Sequence, residues 1–235
     1  MSEDIKKIIK EKSDKGVLRL VMNNLDYKNA LSKKMMSMLG DEIESASSDK
    51  SIKVIVLAAK GNVFCSGHDL KEITAARENK DSGEEFYQDL FDSCSALMQL
   101  IVNTPQPIIA EVDGVATAAG CQLVASCDLA IASNESQFAT PGVNLGLFCS
   151  TPMVALSRNV NKKNAMKMLL TGDFIDASKA KEIGLINNLV QKEELTLEVT
   201  KLAEKIASKS SMTVSTGKQA FYAQAEMDLS AAYKY

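Results

Sequence analysis

The chain has 235 residues, 46% hydrophobic and 24% charged, the composition of a folded globular protein long enough to bury one large core or two modest ones. Twenty-seven basic against thirty acidic residues leave a net charge of −3 with no long basic tract, which argues against capture of nucleic acid or an anionic membrane by charge. One histidine, His68, excludes a His-based metal centre and two-histidine chemistry, and leaves a serine triad only that base.

The opening MSEDIKKIIKEKSDKG carries charges of both signs and no apolar core, unlike a secretory signal, and its acids are unlike a transit peptide. VLRLVM at 17–22 and IKVIVLA at 52–58 read as strands. Between them Ser32 caps a helix, KKMMSMLGDEIESA, with Leu31, Met35, Met38, Leu39 and Ile43 on one face. A helix is expected over 84–103, a third strand at 107–112 (PIIAEV), a helix at 120–127 and a fourth strand at 128–133 (DLAIAS). Further helices are expected at 151–158, 162–171 and 192–210. Near-continuous apolar strands alternating with helices predict an α/β architecture with covered sheets. After residue 190 the pattern is wholly helical, which divides the chain into an α/β core, 1–190, and a helical region, 191–235. No run is long enough to cross a bilayer, and no repeat of fixed period occurs. Five cysteines, Cys65, Cys94, Cys121, Cys127 and Cys149, are odd in number with no C-x-x-C pair, so a reducing compartment, read as the cytosol, is expected.

TGKQ at 216–219 imitates the end of a phosphate-binding loop, but Met212 stands where the upstream glycine belongs, so it reads as the solvent surface of a helix. No G-x-G-x-x-G follows a strand and no G-x-S-x-G elbow occurs. Two glycine-bearing turns after strands remain. AAKGNVFCSGHDLKEI (58–73) carries Gly61 and Gly67 and can open a helix at Asp69; AEVDGVATAAGCQLVASCDLAIAS (110–133) turns at Asp113-Gly114 and opens a helix near Gly120. Small residues there leave helix N-terminal N–H groups uncovered. The backbone N–H groups of His68 and Ala119 could then converge on one carbonyl oxygen and stabilise developing negative charge. Such turns also serve plain packing, and the residues alone leave both uses open.

FCSGHDLKEI and EVDGVATAAGCQLVASCDLAIASNESQFATPGVNLGL resemble the two signature segments of the enoyl-CoA hydratase/isomerase (crotonase) superfamily. YKNALS at 27–32 and LLTGDFIDASKAKEIGLINNLV at 169–190 are similar to two further segments of that family, in order along residues 8–230. FCSGHDLKEI with GLFCSTP further resembles its subgroup called enoyl-CoA hydratase domain-containing protein 3. The resemblance implies a crotonase (ClpP-like) spiral of ββα units with a C-terminal helical region, an acyl-CoA ligand, and a homotrimer or dimer of trimers. No tightly bound cofactor or metal is implied; coenzyme A enters as part of the substrate. Relatives usually continue with further helices past Tyr233 and Tyr235, so the helical region is expected to be shortened.

Carried over by position, the resemblance puts the oxyanion hole on the N–H groups of His68 and Ala119. It puts CoA contacts on Lys28, Ala30, Ser66, Gly67, Asp69, Leu70 and Gly120, with Lys28 able to meet a phosphate as a point charge. The two glutamates of hydratases fall on Gln122 and Gly142, neither of which exchanges a proton at neutral pH. Candidates for the missing chemistry are the His68 ring, Gln122 as an orienter of water or acyl group, Cys149 as an activated thiol facing the thioester, and Asp69, which as readily caps a helix. Glu72 and Glu111 read as solvated or paired acids, Cys121 and Cys127 as core. Three functions stay open: an acyl-CoA enzyme stabilising an enolate, a non-catalytic acyl-CoA-binding protein, and a thioester hydrolase.

Overall fold

The computed structural model describes residues 7–235; Met1 to Lys6 of the charged opening lie outside them. Six strands form the main sheet: β1 (Ile8–Lys12), β2 (Val17–Met22), β3 (Val54–Ala59), β5 (Ile108–Val112), β7 (Leu129–Ser133) and β10 (Asn188–Val190), adjacent in that order. Only the β1–β2 pair is antiparallel. The β3 run is apolar throughout because both its faces are covered. Ile55 and Leu57 point into the larger core with α1 (Lys33–Ser48) and α3 (Glu84–Asn103), whereas Val54 and Val56 meet Val199 and Ala203 of α8 (Leu195–Ala207). Helix α8 thus covers the second face of the sheet.

A second sheet holds β4 (Val63–Cys65), β6 (Val115–Thr117), β8 (Gln137–Ala139) and β9 (Ile175–Asp176) in that order. Each of β3, β5 and β7 feeds directly into a strand of this sheet and then into a helix: α2 (Leu70–Ala76), α4 (Ala119–Ser126) and, after a 3₁₀ turn at Pro141–Leu145, α5 (Ser150–Asn159). These are successive ββα units. They leave no fixed period in the sequence because their insertions differ in length. Helices α6 (Lys162–Thr171) and α7 (Ala177–Glu182) lead to β10, and α8, α9 (Ser211–Ala225) and α10 (Leu229–Lys234) follow.

Ser32 caps α1 as expected, accepting from the Met35 N–H. TGKQ lies within α9, but the expected solvent surface is corrected at Lys218, which is only 8% exposed. Its Nζ donates to the carbonyls of Ile101 and Gln106 at 3.0 and 3.1 Å and to Asp128 at 2.7 Å. The other Asp128 oxygen accepts from Tyr222 Oη at 3.0 Å. Three acceptors replace the water that a lysine ammonium loses on burial. Among the described residues no helix is long and apolar enough to cross a membrane.

Candidate active site

Three chain segments meet beyond the C-terminal ends of β3 and β5. Residues 28–31 run beside 66–68: the Ser66 N–H donates to the Lys28 carbonyl at 3.2 Å, the Leu31 N–H to the Gly67 carbonyl at 2.8 Å. Asn29, buried and missed by the sequence reading, pins this segment, its Nδ2 donating to the carbonyls of Lys60 and Val63 at 3.0 and 2.8 Å. The third segment is the start of α4, and its fit against the second is tight. Gly67 has φ +90°, and a Cβ there would lie 3.0 Å from the Ala118 Cβ and 3.4 Å from the Ala119 nitrogen. A Cβ on Gly120 would stand 2.2 Å from the Cys65 carbonyl oxygen. Side chains on either glycine would force the turns apart.

This packing puts His68 and Ala119 on adjoining turns. Hydrogen bonds among the described residues use neither backbone N–H. Ala118, just before Ala119, holds φ +50° and ψ −119°, a conformation that costs a non-glycine residue on the order of 1–3 kcal/mol. The opposite end of α4 is tied down: Ser126 Oγ donates to the Gln122 carbonyl and Asn159 Nδ2 to the Ala125 carbonyl, both at 2.8 Å. The helix is anchored behind and open in front, with uncovered donors at the positive end of its dipole.

The His68 ring can be assigned a tautomer. Its Nδ1 lies 3.3 Å from the Leu31 carbonyl, which only accepts, so Nδ1 carries the hydrogen and Nε2 a bare lone pair. That Nε2 is buried without a partner, next to the Phe91 ring at 6.0 Å edge-on. Burial lowers the imidazole below its ordinary 6.5, and the Leu31 carbonyl opposes this.

Gln122 is 4% exposed, and its Oε1 accepts from Cys94 Sγ at 3.7 Å. Gly142 sits in the Pro141–Leu145 turn, where its N–H donates to Cys149 Sγ at 3.3 Å. A Cβ at Gly142 would lie 2.8 Å from both that sulfur and the Leu147 carbonyl oxygen, so a glutamate does not fit the loop as it stands. Burial raises the Cys149 thiol, only partly offset by the Gly142 N–H, which is the reverse of an activated thiolate. Asp69 caps α2, accepting from the Lys71 N–H at 2.9 Å. Ala30 is buried; Lys28 and Leu70 are exposed at the mouth, where Lys71 Nζ also stands 5.0 Å over the Tyr27 ring. Cys121 and Cys127 are core, and Glu72 accepts from the Lys33 N–H at 3.1 Å. Glu111 is buried against Arg19 on the α8 side of the sheet, away from the turns. Cys94, the partner of Gln122, was missed because it reads as one more apolar residue in the α3 stripe of Leu90, Leu97 and Ile101.

A family model described as Enoyl-CoA hydratase/isomerase matches residues 12–235. Rat "Enoyl-CoA hydratase domain-containing protein 3, mitochondrial" is 50% identical over 218 residues, 93% of this chain and 71% of the relative. The crystal structure of human enoyl coenzyme A hydratase domain-containing protein 3 superposes with a TM-score of 0.92 at 46% identity, covering 97% of this chain and 88% of that one. Enoyl-CoA hydratase of Mycobacterium smegmatis also gives 0.92, at 44% identity, over 97% and 87% of the two chains. The spiral of ββα units is therefore the crotonase fold. The cytosolic expectation is overturned by the names of the vertebrate relatives, which place those proteins in mitochondria. Unpaired cysteines report a reducing compartment, and they do not separate the cytosol from another reducing space. From its family model, its relatives and its fold, the chain belongs to the enoyl-CoA hydratase/isomerase family.

Proposed function

We propose that this protein is a mitochondrial enzyme that binds an acyl-CoA thioester and stabilises its enolate through the N–H groups of His68 and Ala119. The observation that carries the reading is the meeting of the two glycine turns, which leaves these N–H groups without protein acceptors at the head of an anchored helix. Donors fixed in place cost no reorganisation when charge develops on the thioester oxygen. Lys28, Ala30, Ser66, Gly67, Asp69, Leu70 and Gly120 flank that point, with Lys28 and Lys71 at the mouth for the CoA phosphates. Coenzyme A is then part of the substrate rather than a resident cofactor. The exposed Leu145, Leu147, Phe148, Val154 and Phe174 support assembly as a homotrimer or a dimer of trimers.

Proton transfer is where the site departs from a hydratase. Neither Gln122 nor Gly142 offers a side chain that titrates near neutral pH, and Cys149 serves as a clasp on the loop. The His68 Nε2 lone pair is a base on a residue of the hole itself, buried without a partner, with its ring edge-on to Phe91. The absence of a carboxylate favours a second reading, a non-catalytic acyl-CoA binder. Turnover on short and medium enoyl-CoA esters separates the two. Wild-type hydration sinks the binder, whereas activity that arises only in Gln122→Glu supports it. Release of free CoA thiol from saturated acyl-CoA would instead reveal a thioester hydrolase. Failure of every CoA ester to bind by calorimetry overturns the whole reading.

A further inference from the structure

Gln122 stands one turn after Ala119 on α4, and helical side chains lean towards the N-terminus, so its amide leans towards the end where the Ala119 N–H is open. It is buried, and its Oε1 is taken up by Cys94. Burial pushes the Cys94 thiol up to about 11, which keeps it an S–H donor and fixes the oxygen of the amide towards it. Nε2 then points the other way, and no hydrogen bond among the described residues uses it. Unlike His68 Nε2, this nitrogen is not sealed from solvent, so it is a donor that water can reach and that a ligand oxygen can take over.

Helix α3 shows where that donor lies relative to the hole. Phe91 packs on His68 and Cys94 touches Gln122, and Phe91 and Cys94 are one turn apart. His68 and Gln122 therefore line one face of α3 a turn apart. An acyl chain whose thioester oxygen was held by His68 and Ala119 and which ran along this face would meet Gln122 within its first few carbons.

We propose that Gln122, oriented by Cys94, selects a 3-oxoacyl thioester by donating an Nε2 hydrogen to the β-carbonyl oxygen. This rests on the acyl-CoA reading above and names the substrate class that the same site prefers. A saturated chain leaves the amide donor unpaired. A 3-hydroxyl accepts from it but brings a proton of its own, and the acceptor close by, His68 Nε2, is sealed from solvent. A carbonyl brings acceptors alone. Cys94 is a positioning residue in this scheme, acting only through Gln122.

The test is calorimetry of the full chain with butyryl-CoA, 3-hydroxybutyryl-CoA and acetoacetyl-CoA. The wild type is expected to hold acetoacetyl-CoA roughly three- to tenfold tighter than butyryl-CoA, the worth of one hydrogen bond to a buried neutral donor. The 3-hydroxy ester should fall between them. Gln122→Leu, or Gln122→Met if the first does not fold, should bring the ratio to one. Gln122→Glu should invert it, because a carboxylate repels the β-carbonyl oxygen. Cys94→Ala should shrink the ratio, and Cys94→Ser, which restores a donor, should rescue it; a merely structural cysteine would move both affinities together. Equal affinities in the wild type, or a preference that survives Gln122→Leu, overturn the selection by Gln122 while butyryl-CoA binding keeps the acyl-CoA reading intact. No binding of butyryl-CoA to the wild type overturns both.

Discussion

At Asp128, before β7, a half-buried carboxylate accepts from Lys218, from Tyr222 and, at 2.7 Å, from the Ile108 N–H. At the far end of α4, a helix of eight residues, the His68 and Ala119 N–H groups, His68 Nε2 and Gln122 Nε2 have no protein partner, and Ala118 is held in a strained conformation. One short helix thus joins a region where a charged pair is held from several sides to one where donors are held in reserve. The tied end anchors the helix, and the open end is where a ligand adds something the chain lacks. Proteins retain unsatisfied groups and strain mainly where a site requires them.

Breaking the tied end should have the largest effect. Lys218→Met leaves the half-buried Asp128 carboxylate with only Tyr222 and the Ile108 N–H and should cost about 2–4 kcal/mol by urea unfolding. If the two ends are separable, the affinity for a CoA ester in the surviving folded fraction changes little. Gly120→Ala attacks the reserve end through the contact with the Cys65 carbonyl. It should cost about 1–3 kcal/mol by the same method and weaken CoA-ester binding with it. Ala118→Gly should go the other way, raising stability by about 1 kcal/mol through relief of the strained φ, after allowing for the greater freedom of glycine in the unfolded chain. A loss of stability in that variant would show that Ala118 is not strained.

The smallest expected effect is a pH dependence. Burial places the His68 pKa in the folded protein below the 6.5 of the unfolded chain, so below pH 6.5 the unfolded chain binds more protons and stability is lost as pH falls. Above pH 6.5 the contribution is flat. The difference in unfolding free energy between wild type and His68→Gln, measured from pH 8 down through 6.5, isolates this from the carboxylates. A difference that stays constant over that range would contradict the buried, neutral ring.

The parts legible in the sequence were those with local signals. Ser32 before an amphipathic helix, apolar runs at 17–22 and 107–112, and glycine turns after strands each announce themselves within a few residues. The strands of the second sheet did not, because Val63–Cys65, Val115–Thr117 and Gln137–Ala139 are too short to show alternation. Pairings across long separations were equally hidden. Lys218 looks solvent-facing among polar neighbours, and only folding brings it to Asp128, just as Cys94 meets Gln122 from another helix. Gly142 was read as a lost glutamate, but the loop is built around its missing side chain, with Cys149 in the space.

The central claim, that the N–H groups of His68 and Ala119 hold a thioester oxygen, is tested most directly by isotope-edited infrared spectroscopy of butyryl-CoA labelled with carbon-13 at the thioester carbonyl. Two donors on that oxygen weaken the C=O bond, so its stretching band should move to lower frequency on binding the wild type and back towards the solution value in Gly120→Ala. A labelled band that stays at its aqueous position in a saturated complex would contradict the account.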